Sequence, residues 1–199
     1  MSMLTLEQGK LLVRYARECI NCHLVRKEIE NKEFSFAKDD QGVFVTLLTY
    51  PEKDLRGCIG FPEPAYPLGK AVRMAAISAA VDDPRFPEMS SDELDKVVVE
   101  MSVLTVPEKI ELAENEKYED KITVGADGLI VKGRSRSGLL LPQVPADLGW
   151  DKNQFLMQTC TKAGLPSDAY LSDDVEVFKF QAQIFSEVSP GREVVVKEF

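Results

Sequence analysis

The sequence predicts an α+β protein, and three observations carry that expectation. Amphipathic helical stretches and β-branched runs are interspersed along the 199 residues. Consecutive strands are joined by short turns, so hairpins outnumber βαβ crossovers, which disfavours a doubly wound sheet. An acidic stretch from Glu111 to Asp120 separates two sub-regions without the Gly/Ser composition of a flexible linker. A length of 199 residues suits one large domain or two small ones, with enough chain to bury a core.

The elements follow in order. Thr5 to Glu30 reads as a long amphipathic helix, opened by a Thr5/Gln8 capping box. Its apolar face holds Leu12, Tyr15, Ala16, Cys19, His23 and Leu24 at helical spacing. Val43–Thr49 is strand-like, Tyr50 to Asp54 is a turn, and Asp54 to Gly60 returns as a second strand. Prolines at 62, 64 and 67 exclude regular structure there. Leu68–Val81 is an alanine-rich helix that ends before Asp82-Asp83-Pro84. Ser90 and Glu93 form a second capping box at a short helix, and Val97–Leu104 is a strong strand. Beyond the acidic stretch, Ile122–Val124 and Leu129–Lys132 read as short strands around a Gly125–Gly128 turn. Gly138–Pro142 reads as a further strand. Asp151 caps a helix to Ala163, stapled by Trp150 and Phe155 and stopped by Gly164. Val175–Phe185 alternates, with Phe178, Phe180, Ala182 and Ile184 expected inward.

Composition bounds the function. A net charge of −9 opposes bulk binding to nucleic acid or an anionic membrane. No apolar run is long enough to span a bilayer, and the first residues lack signal-peptide character, so a cytoplasmic protein is expected. Four cysteines do not form a secreted disulfide framework.

The chemistry-bearing stretch is Leu55-Arg56-Gly57-Cys58-Ile59-Gly60. Two glycines in a strand indicate a bend, or a surface that another backbone or a ligand approaches closely. Strand alternation places Arg56 and Cys58 on one face, with Cα atoms roughly 6–7 Å apart, and Leu55 and Ile59 on the core side. A guanidinium beside a thiol favours the thiolate. The alternative is an inert cysteine with Arg56 in a structural ion pair. The loop Asp83-Pro84-Arg85-Phe86-Pro87 is a second candidate wall, either functional or shaped by an internal Asp83–Arg85 salt bridge. Gln143, between two prolines, is a third. Cys19-Ile20-Asn21-Cys22-His23 spells a haem-attachment pattern but sits inside a helix whose apolar face accounts for Cys19 and His23. His23 is expected hydrogen-bonded and partly buried. Neither a zinc site nor a phosphate-cradling glycine loop is indicated, so no metal or cofactor is expected.

Taken together, these motifs resemble the AMMECR domain family. The match rests on the hexapeptide and on Cys22-His23-Leu24, Asp83 to Pro87, Val124-Gly125 with Gly128-Leu129, Leu141-Pro142-Gln143-Val144, Gly149-Trp150-Asp151 and Lys162 to Leu165. The resemblance implies two closely packed sub-regions with the hexapeptide at or near a cleft between them. It implies a component of a modification pathway whose other members are a Memo-like protein and a radical S-adenosylmethionine enzyme. Two functions are then open. The first is a binding or accessory module whose cleft takes a small-molecule or peptide ligand, with Gly57, Gly60, Asp83, Arg85, Phe86, Gln143 and His23 as its candidate binding residues. The second is an enzyme with Cys58 as nucleophile or general acid and Arg56 binding an anionic group.

Overall fold

The computed structural model describes residues 4–197. The chain divides into two compact units. The first comprises the chain up to Leu104 and from Gln183 on, and the second comprises Thr105–Ala182. Both combine helices with antiparallel strands, an α+β fold. Among the described residues, no helix is long and apolar enough to cross a membrane.

In the first unit, α1 (Leu6–Leu24) starts at the Thr5 capping box. The Thr5 hydroxyl accepts from the Gln8 amide at 3.3 Å, and the Gln8 side chain accepts from the Thr5 amide at 2.8 Å. The helix ends six residues short of the expected Glu30. Arg26 adopts φ 55°, and the Lys27 amide donates back to the Cys22 carbonyl at 2.8 Å. That is a left-handed stop built without glycine, which is why composition did not signal it. The strands β1 (Val43–Thr49) and β2 (Leu55–Phe61) form the hairpin, β2 lying one residue further along than expected. The helix α2 (Leu68–Val81) and the strand β3 (Val97–Leu104) keep the expected bounds. β3 pairs antiparallel with the other side of β1, leaving β2 at the edge.

The core of this unit joins Leu12, Ala16 and Ile20 of α1 to Val43, Val45 and Leu47 of β1 and to the alanine face of α2. Burial of that apolar surface supplies the main stabilisation. A buried carboxylate ties the layers together. Glu187 accepts from Arg17 Nε at 2.7 Å and from the Val99 amide at 2.9 Å, while Arg17 also donates to the Leu94 and Val97 carbonyls.

The second unit holds β4 (Glu108–Lys109), the hairpin of β5 (Asp127–Gly133) and β6 (Arg136–Leu140), α3 (Gln143–Asp147) and α4 (Lys152–Lys162). The expected strand at 122–124 is instead a turn. The Thr123 amide donates to Asp127 Oδ2 at 2.8 Å, and the Asp127 amide returns to the Thr123 carbonyl at 2.9 Å. β6 starts two residues before the expected Gly138 and stops at Leu140. The helix α4 packs Phe155, Leu156 and Cys160 against Leu129 and Val131.

The long strand β7 (Val175–Glu187) belongs to the second unit up to Ala182 and to the first unit from Gln183. This explains a failed expectation about its faces. Phe180 and Ile184 are buried, but Phe178 and Ala182 are only half-buried, whereas Val177 and Phe185 are fully buried. Val177 serves the second core and Phe185 the first, so one alternation cannot describe the whole strand. The last strand, β8 (Val194–Lys197), pairs with β7 and was not expected from sequence.

α2 packs on β2 through backbone contact. A Cβ at Gly57 would stand 2.1 Å from the Ala79 carbonyl oxygen, and one at Gly60 would stand 2.3 Å from the Val43 carbonyl and 2.5 Å from the Phe44 ring. Gly57→Ala is therefore expected to cost about 2 kcal/mol, because the obstructing atom is helix backbone rather than a flexible side chain. Urea denaturation checks this, and an unchanged midpoint would show that α2 does not depend on the missing Cβ.

Candidate functional site

The hexapeptide sits on β2, and a one-residue irregularity divides it. Leu47 pairs with Gly57 but Leu48 pairs with Leu55, so Arg56 is the extra residue of a bulge. A bulge breaks strict alternation and re-aims its side chain. Arg56 accordingly does not serve the thiol. Its Nε donates to Glu93 Oε2 at 2.8 Å and its Nη2 to the Pro87 carbonyl at 3.1 Å. The short helical turn Ser91–Lys96 places Glu93 there, and the Ser90 amide donates to the other carboxylate oxygen at 2.9 Å. Arg56 holds the Glu93 carboxyl down to about 2, with the Ser90 groups adding to the effect against partial burial.

Asp83 is the other fixed point. It follows the last turn of α2, with its side chain almost completely buried. One oxygen accepts from the Cys58 amide at 2.8 Å and from Arg85 Nη2 at 2.6 Å. The other accepts from Arg85 Nε at 2.9 Å and from the Arg85 amide at 3.1 Å. Arg85 Nη2 also donates to the Cys58 carbonyl at 3.3 Å. An edge strand leaves outward N–H and C=O groups unpaired. Here the Asp83–Arg85 pair takes both such groups of Cys58, in place of a neighbouring strand. Arg85 holds the Asp83 carboxyl far below the usual carboxylate range, reinforced by the two backbone donors and opposed by burial. The Phe86 ring lies beside both guanidiniums, 5.8 Å from Arg56 Cζ and 5.6 Å from Arg85 Cζ, a cation–π arrangement on an aromatic face.

Cys58 is half-buried. The Thr46 hydroxyl donates to its sulfur at 3.2 Å. Register places Cys58, Thr46 and Glu100 directly across from one another on β2, β1 and β3, so the three side chains share one sheet face. Glu100 is buried and accepts from Lys197 Nζ at 3.0 Å. Burial pushes the Cys58 thiol up, only partly offset by the Thr46 hydroxyl and by Arg85, with Asp83 and Glu100 adding to the rise. The expected depression of the thiol by Arg56 is absent, because Arg56 is committed to Glu93. Asp83 and Arg85 form the internal ion pair that was the structural alternative for that loop.

The structure thus gathers Arg56, Gly57, Cys58, Gly60, Asp83, Arg85 and Phe86 within the first unit. His23 is not on a buried face as expected; it is exposed on the last turn of α1. Cys19 of the same pattern lies in the core, its thiol pushed up to about 11 by burial. Gln143 opens α3 in the second unit, with its Oε1 buried and without a hydrogen-bond partner. Among the described residues no three His, Cys, Asp or Glu side chains are placed to hold a metal ion. Sequence reasoning missed Thr46, Glu93 and Glu100. Glu93 was visible only as a capping residue, and the other two become partners of the site only through strand register.

Asp83 gives a pH signature. Its folded pKa lies below the unfolded value of about 3.9, so its stabilisation is complete above that pH and is lost as pH falls. Asp83→Asn is expected to lower stability by about 3 kcal/mol at pH 7, since it leaves Arg85 without its buried partner. Urea titrations of both proteins should converge as the pH drops below about 4. A gap that stays constant from pH 7 to pH 3 would contradict the ionised carboxylate.

A model of the AMMECR1 family matches residues 13–185. The chain is 49% identical over 199 residues to the protein MJ0810 of Methanocaldococcus jannaschii, covering 100% of this chain and 99% of that one. It is 53% identical over 190 residues to the protein PH0010 of Pyrococcus horikoshii, covering 92% of each. The crystal structure of PH0010, titled an uncharacterised protein, superposes with a TM-score of 0.90 at 51% identity, over 97% of this chain and 98% of that one.

Proposed function

The chain belongs to the AMMECR1 family, and on that premise we propose that it acts as a binding or accessory component of a modification pathway, with the β2 surface around Cys58 as its recognition element. One observation carries this reading. The two guanidiniums nearest the thiol are already committed: Arg56 to Glu93, and Arg85 to Asp83. A thiol whose pKa is raised by burial holds little thiolate at neutral pH, and the thiolate is the nucleophile. What the face offers a ligand is shape and polarity. Phe44, Thr46, Leu48, Cys58 and Gly60 are all part-exposed on neighbouring strands.

The partners to try first are a Memo-like protein and a radical S-adenosylmethionine enzyme, the components that the family resemblance implies. A small molecule or peptide held at the same face is compatible with this role. The alternative, Cys58 as nucleophile or general acid with Arg56 on an anionic substrate, draws on the accessible part of the thiol and the hydroxyl donated to its sulfur.

Alkylation separates the two. Cys58 is expected to react with iodoacetamide more slowly than an unperturbed cysteine at pH 7.5, and to accelerate only at higher pH than such a cysteine does. Cys58→Ser should then keep partner capture, whereas Cys58→Glu, which plants a charge on the face, should abolish it. Rapid alkylation at neutral pH, together with loss of function in Cys58→Ser, would favour the enzyme.

A further inference from the structure

A second feature of the first unit lies at the other end of α2, roughly 20 Å along its axis from Asp83. There the chain after α1 and the N-terminal turns of α2 line an open pocket of about 550 Å³. Its walls include Lys32, Lys38, Lys70 and Arg73, against one carboxylate, Glu33. Such a concentration is unusual in a chain of net charge −9. Like charges repel when they are brought together, so a cluster of cations around a concave surface costs stability unless an anion neutralises it.

The protein itself supplies little neutralisation. Lys32 is bonded to Glu18, and Lys70 lies over the Tyr66 ring at 4.6 Å. Lys38 and Arg73 make no ion pair or side-chain hydrogen bond among the described residues. Lys70 and Arg73 are three apart on α2, so their side chains emerge as neighbours on one stripe. Arg73 is only partly exposed, and a guanidinium is the side chain best matched to a phosphate fork. Phe34 adds an apolar wall beside the cations. A few placed charges next to an apolar surface, in a volume of this size, is the make-up of a small-ligand pocket.

We infer that this pocket binds a phosphate-bearing small molecule, with the phosphate held between Lys38, Lys70 and Arg73 and the body of the ligand against Phe34. The site is separate from the Cys58 face and does not depend on the role assigned to that face.

Calorimetric titration of the full chain with pyrophosphate and with phenyl phosphate, at low ionic strength, tests the inference. One saturable site per chain is expected, weakening as salt is raised. A Lys70→Gln/Arg73→Gln variant should bind at least about tenfold more weakly, Arg73→Lys should fall between it and the unsubstituted protein because the charge stays but the fork is lost, and Lys162→Gln on α4 changes nothing. Melting temperatures no lower than that of the unsubstituted protein confirm that the variants fold. A parallel arm uses vesicles containing phosphatidic acid. Capture by vesicles but not by soluble phosphates, lost in the double variant, would support the phosphate chemistry and assign it to a lipid headgroup. No binding in either arm, or equal binding by the double variant, would overturn the inference.

Discussion

The buried carboxylate of Asp83 is the interaction on which the arrangement of this site depends. It stands just past the end of α2, yet it accepts from the backbone of β2 and from Arg85 within its own loop. One ionised group thus fixes the helix end, the edge strand and the proline-bracketed loop against each other. Removal of a buried charge from water is unfavourable unless donors replace the lost solvent. Four N–H donations to its two oxygens meet that requirement here. The same geometry caps an exposed strand edge, which would otherwise be a template for unwanted pairing.

The small residues of α2 and β2 follow from this clamp. Asp83 can reach the Cys58 amide only if the last turn of α2 lies directly on the strand, and Ala79 and Gly57 permit that approach. The bulge at Arg56 then turns its guanidinium away from the thiol and toward Glu93. Cys58 is left half-buried and bonded to Thr46, and the paired Arg85 offsets only part of the effect of burial on its thiol. The hexapeptide is therefore well explained as architecture.

Much of the fold was legible in sequence because its signals are local. Val43–Thr49, Leu68–Val81 and Val97–Leu104 carry their own periodicity and boundaries, and the Thr5, Ser90 and Asp151 caps are read from residues three apart. The glycines announced close backbone approach, and Ala79 over Gly57 is that approach. What failed was non-local. The end of α1 is set by a left-handed Arg26 with no glycine to mark it. The strand β7 changes core partway along its length. The bulge that parts Arg56 from Cys58 is a property of pairing with β1, and no pattern within β2 contains it. Asp83 and Arg85 stood out as residue types in a rigid loop. Their use as a surrogate strand partner depends on a contact 25 residues away.

Amide hydrogen exchange at Cys58, read by NMR under native conditions, tests the central claim most directly. If the Asp83 carboxylate holds the amide, Cys58 should exchange as slowly as residues of the central strand β1, although it lies at a sheet edge. Exchange at the rate of an unprotected edge amide, with Asp83 intact and ionised, would contradict the account.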